Sequence, residues 1–228
     1  MDKLIDIVPR YVTALLQLVS TPVGFIDSQL KDKSNAIEPA AYFLVISASV
    51  AFLLRSPLLT DVSNAGVFFV AFQVASALAV TLVLLVSWKI VGGAADIKDC
   101  FIFYGYAGGV GILLATLFGI LARGLVPPEQ LLLFTDYVEV VIAFDSEVND
   151  ARFEGLQHEP WLVWTMLLLL VGETLTYIWM LICWPALTTA NQSGRRHALV
   201  ALALAFVIGF PISWLLTVFA ERSGIASF

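Results

Sequence analysis

Five stretches of this chain stay apolar long enough to cross a bilayer, and the polar residues between them collect in clusters. A helix needs about 20 apolar residues to span about 30 Å of hydrocarbon. Windows at 37–54, 66–88, 101–122, 161–184 and 198–219 meet that requirement or come close to it. Pro39 fits the opening turn of the first, Arg55 marks its end, and Pro57 prevents simple continuation. Trp88, Lys89, Trp161, Trp164 and Trp184 are of the types that anchor span ends at the interface.

Ahead of the first window, Leu4, Ile5, Ile7, Val8, Tyr11, Val12, Leu15, Leu16, Leu18 and Val19 recur at helical spacing. Asp6, Arg10, Thr13 and Gln17 fall mainly on another face, so the segment reads as an amphipathic helix in the cytoplasmic interface or packed under the bundle. Ser20, Thr21 and Pro22 break it, and Phe25, Ile26 and Leu30 make a second apolar patch. Between the third and fourth windows, Leu131 to Phe144 is apolar but carries Asp136 and Glu139, which makes it too short and too charged to span. A helix capping the outer mouth or lying on the outer leaflet is expected there, followed by a solvated connection from Asp145 to Glu159. The pattern therefore predicts an all-α, polytopic membrane helical bundle of five transmembrane helices preceded by an amphipathic interfacial helix. Residues 1–36 form the N-terminal cytoplasmic segment, and 37–228 the bundle, with an external acidic loop at 123–160.

Composition agrees: the chain is 60% hydrophobic and 13% charged, with a mean hydropathy of +0.91, far from the balance of a soluble domain. Most of the acidic excess behind the net charge of −6 lies in the one loop, and the other loops are short and mildly basic, so nucleic acid is not an expected partner. Lys3, Arg10, Lys31, Lys33, Lys89, Lys98, Arg195 and Arg196 fall on one side of the spans; Arg55, Arg123, Arg152 and Arg222 fall on the other. The bias places the N-terminus in the cytoplasm and the C-terminus outside. Arg195 and Arg196 serve as a positive-inside anchor or bind anionic lipid headgroups.

Cys100 and Cys183 lie at the ends of different windows without a C-x-x-C pair, so no disulfide framework or metal cluster is indicated. The first 20 residues lack an uninterrupted apolar core and a small-residue cleavage site, and the first span is expected to act as the insertion signal. H-E-x-x-H, G-x-S-x-G and phosphate-loop signatures are absent, no cofactor is nominated, and the chain is read as no enzyme.

From Trp88 the sequence runs through Gly92-Gly93, a short polar turn and Tyr104-Gly105-Tyr106-Ala107 into the third window. A glycine pair followed about a dozen residues later by tyrosine-glycine-tyrosine resembles the Yip domain family, the Rab-interacting five-span membrane proteins of eukaryotes and their bacterial relatives. The five-span count, the cytoplasmic N-terminus and Ser20-Thr21-Pro22 ahead of Phe25 are similar to its bacterial members. Val110-Gly111 stands where a proline often follows the tyrosine element, and the acidic insert is longer than the usual connection. The resemblance implies a membrane scaffold without catalytic residues, and for eukaryotic members an association with prenylated Rab GTPases; the short N-terminal segment is closer to the bacterial branch. Apart from any family, Gly105 and Gly109 form a small-xxx-small pair that lets another backbone approach, with a hinge or backbone-lined passage as the alternative.

Glu173 stands near the middle of the fourth window, where an ionisable group costs at least about 2.5 kcal/mol and marks a partner, an interior or a wet cavity. No basic residue is expected at its depth. It is either a proton- or cation-sensing carboxylate in a transport path, or a neutral Glu bonded across helices to Gln73 or Thr176, or interfacial because the span is misplaced. If the stripes Gln73, Ser76, Val80 and Glu173, Thr176, Met180 face each other, they form an internal polar track. The expected role is a membrane-organising or partner-binding scaffold; the alternative is a channel or transporter for ions or small amphiphiles. Membrane lipids, a membrane-protein partner or a second copy are the expected associates.

Overall fold

Backbone polar groups cannot be left unpaired in hydrocarbon, so an apolar chain of this kind satisfies them within helices. A computed structural model of the chain describes residues 2–55, 65–142 and 153–222. Among these residues there are nine α-helices and no strand. They are α1 (Asp2–Ser20), α2 (Pro22–Lys31), α3 (Lys33–Arg55), α4 (Ala65–Ile90), α5 (Ile97–Arg123), α6 (Leu131–Ile142), α7 (Glu154–Gln157), α8 (Pro160–Ala190) and α9 (Arg195–Arg222), with a 3₁₀ turn at Pro128–Gln130. Five of them, α3, α4, α5, α8 and α9, are long and apolar enough to cross a membrane, so the chain is an integral membrane protein of the expected all-α class.

Each long helix overruns its apolar window, and the reasons are local. α3 begins at Lys33 because Asp32 accepts hydrogen bonds from Asn35 Nδ2 at 3.0 and 3.2 Å, while its carbonyl takes the Ala36 N–H at 3.1 Å. Pro39 is consequently inside the helix and not in its opening turn. α8 continues past Trp184 through Pro185 to Ala190, and α9 continues through Pro211. Pro57 falls outside the described residues.

α5 is the centre. It makes its most extensive contacts with α3 and α8, while α4 joins α3, α5 and α9. α2 packs on α8 and α5, and the N-terminal pair is part of the main core: Leu18 and Ile26 are fully buried with Phe43, Phe103 and Tyr106. α1 shows three faces. Tyr11, Ala14, Leu15 and Leu18 pack on the bundle, Val8, Val12, Leu16 and Val19 form an exposed apolar stripe, and Arg10, Thr13 and Gln17 form an exposed polar one. The helix is thus amphipathic as expected, and its Tyr11 reaches α3. The Tyr11 ring lies 4.9 Å from Phe43 and its hydroxyl 3.1 Å from Ser47 Oγ, and Ser47 is about 21 Å along the α3 axis from Lys33 at 1.5 Å per residue.

At the opposite end, α6 does pack onto the start of α8, with Phe134 and Trp161 rings 5.7 Å apart. The solvated connection expected as far as Glu159 is partly wrong. Phe153 and Leu156 are buried against Val126, Phe134 and Leu162, because a one-turn helix puts these two apolar residues on one side. The segment 143–152 lies outside the described residues.

Candidate functional site

The glycine pair and the tyrosine-glycine-tyrosine element turn out to be two ends of one rigid join. Gly92 has φ +76°, which a residue with a Cβ rarely adopts. Its N–H bonds Lys89 O at 3.1 Å while Gly93 N–H bonds Trp88 O at 2.8 Å, the double bond pattern that ends a helix on a left-handed glycine. Gly93 sits against the Asn191 side chain and the Trp88 ring, with no room for a Cβ. Asn191, at the end of α8, accepts the buried Ala95 N–H at 3.0 Å and donates to Leu187 O at 2.8 Å. Behind it the Trp88 and Trp184 rings stack at 5.5 Å. Sequence reading missed Asn191, which follows an apolar span and gives no signal until α8 is known to run past Pro185.

α5 starts on a capping box: Asp96 Oδ1 accepts Asp99 N–H at 3.0 Å, and Asp99 Oδ2 accepts Asp96 N–H at 2.9 Å. Asp99 is fully buried, and its Oδ2 also takes the Lys33 ammonium at 2.8 Å, which pins the start of α3 to the start of α5. Partial burial works against ionisation of Asp96, but the Asp99 and Lys98 N–H groups and the Lys33 charge hold its carboxyl below the usual carboxylate range.

Further along α5, each member of the motif has a packing task. Gly105 meets the Ala40 backbone of α3 so closely that a Cβ there would fall 3.0 Å from it, and a Cβ on Gly109 would fall 2.8 Å from the Phe43 ring, also in α3. Gly108 is covered by the ring of Tyr104 one turn back in the same helix. Tyr106 is buried with its ring perpendicular to Phe25 at 5.0 Å and tilted beside Phe43 at 5.3 Å, and its hydroxyl donates to Gln29 Oε1 at 3.4 Å. On the other side Ala107 O accepts Trp179 Nε1–H at 3.1 Å, and Gly111 O accepts the Thr176 hydroxyl at 3.4 Å.

The expected polar track does not assemble as a hydrogen-bonded file. Thr176 bonds Gly111 and Gly172 backbone oxygens, not Glu173. Among the described residues no hydrogen bond joins Gln73, on the half-buried side of α4, to Glu173. Thr81 and Ser49 return their hydroxyls to their own helices. Ser76 Oγ and Thr116 Oγ1 are buried without a hydrogen-bond partner among the described residues. Glu173 itself is on the exposed side of α8. Contrary to expectation, a basic residue acts on it: Arg55, at the end of α3, interacts electrostatically with its carboxylate. The Arg55 guanidinium also lies 5.5 Å from the Phe69 ring centre. The apolar-window reading put Arg55 beyond the span, whereas a long flexible stem lets a terminal arginine act deeper than its Cα.

Arg195 and Arg196 are exposed at the first turn of α9. The two cysteines are buried and free, and no group of three or more metal-ligating side chains occurs among the described residues. No protein-family model matches this chain, and no curated protein and no solved structure is significantly similar to it.

Proposed function

We propose that the chain is a non-enzymatic scaffold of the Yip type, a bacterial inner-membrane protein with a cytoplasmic N-terminus that organises membrane or binds a membrane-protein partner or a second copy. The observation that carries the reading is the use made of α5. Gly105, Gly109, Gly111 and Ala107 are consumed in contacts with Ala40, Phe43, Thr176 and Trp179, which leaves the motif as a packing hub and not as the lining of a passage. The same helix is held at its start by the Lys33–Asp99 pair and the Asn191-braced loop, so the loops at that end form a firm surface suited to presenting fixed contacts. Reconstitution in proteoliposomes tests it: wild type passes no protons, no monovalent cations and no flipped lipid probe, and Glu173→Gln matches it. Flux lost on that substitution refutes the scaffold.

The second reading, a channel or transporter, rests on Glu173, inside the α8 candidate span, with the charge of Arg55 acting on it. It requires the pair to couple to movement. A double-mutant cycle of Arg55→Gln and Glu173→Gln on stability gives a coupling above about 0.5 kcal/mol if the charges only hold the fold; coupling in flux and none in stability favours transport.

A further inference from the structure

At the end of α4 and the start of α9, Ile90, Val91, Arg196, His197 and Val200 line a shallow groove. We propose that this groove holds an anionic phospholipid, with its headgroup phosphate on Arg196 of the groove wall and Arg195 next to it in the chain, and the first acyl carbons along the apolar wall.

The chemistry of the two walls points to such an occupant. Ile90 is 61% and Val200 51% exposed, and Leu199 beside it is 67% exposed, so the apolar side continues outward along α9 as a path for a chain. Arg195 and Arg196 are exposed, and among the described residues no carboxylate lies within ion-pairing distance of either. They also stand in the first turn of a 28-residue helix. The aligned peptide dipoles there already supply positive potential, so this end favours anions and disfavours added cations. Two unpaired guanidinium groups raise that potential, and a phosphate offsets both contributions while taking bidentate hydrogen bonds from an arginine. The groove is held in place without any ligand. Gln192 takes a left-handed φ of 51°, Ser193 Oγ donates to Asn191 O at 3.0 Å, and Asn191 ties the turn to Ala95 next to the end of α4. A preformed basic pocket between span ends is what lipid headgroups bind.

The test is native mass spectrometry on the detergent-purified full chain with phosphatidylglycerol or phosphatidylcholine. The expected result is retention of phosphatidylglycerol over phosphatidylcholine, weakened about thirty-fold in Arg195→Gln/Arg196→Gln, about fivefold per arginine. An equal charge change at Arg10→Gln/Lys31→Gln leaves retention intact, which separates a site from general attraction. Helical circular dichroism and a single elution peak establish that each variant is folded. Equal retention of both lipids, wild-type retention by the arginine variant, or displacement of the lipid by equimolar inorganic phosphate overturns the proposal, the last in favour of a free anion.

Discussion

Replacing Gly105 by alanine places a methyl group where α3 and α5 touch backbone to backbone. The new Cβ falls 3.0 Å from both Ala40 Cβ and Ala40 O and 3.2 Å from Ala40 C, against an ordinary carbon contact of about 3.5 to 4.0 Å. Backbone cannot rotate away as a side chain can, so α3 must retreat by about half an ångström or more. Such a gap forfeits about a quarter of the dispersion energy of each affected contact along an extensive helix interface, and overpacking of this kind costs about 1–3 kcal/mol. Alanine also favours the helix over glycine by about 1 kcal/mol, which would blur a single measurement. Gly119, in the same helix, has nothing within 4 Å of a built Cβ and carries the propensity gain alone. Reversible unfolding in mixed detergent, followed by tryptophan fluorescence, should therefore place Gly105→Ala about 1–3 kcal/mol below Gly119→Ala. Equal stabilities would refute the close approach of α3 and α5 on which the packing-hub account depends.

Two further perturbations probe the loop end of the bundle. Asn191→Ala strands the buried Ala95 N–H and should cost about 1–3 kcal/mol in the same assay, whereas an effect near zero would mean that the loop is not tied to α8. Lys33→Met leaves the fully buried Asp99 without its counter-ion. Because Lys33 is itself partly exposed, the loss should be about 1–3 kcal/mol, and Lys33→Met/Asp99→Asn should recover part of it if the charge is the cause.

How much of this was legible in the sequence varied with the physics involved. Span number and order follow from long apolar runs, which hydrocarbon demands and few soluble helices supply. The ends did not follow, because they depend on polar contacts: Asp32 with Asn35 at the start of α3, and the hydrogen bonds of Asn191 past Pro185. Gly92, Gly93, Gly105 and Gly109 were identifiable as places of turn or close approach, though not which helix each would meet. Gln73 and Glu173 share no hydrogen bond among the described residues, and helical projection gives a stripe's direction within one helix and nothing about which neighbour it faces. The charge of Arg55 acts on Glu173 from over a hundred positions away in the chain, a relation that periodicity does not encode.

The account rests on α5 having no water along its small-residue face, and a thiol placed there measures it directly. Ala107 is fully buried, and thiol reagents attack the thiolate, which needs water to form. In a Cys100→Ala/Cys183→Ala background, with the chain in its native membrane, Ala107→Cys should stay unmodified by a small charged methanethiosulfonate while Ala94→Cys, on the exposed loop, reacts. Labelling of Ala107→Cys at a rate approaching that of Ala94→Cys would mean an aqueous passage along α5, and the scaffold account would be contradicted.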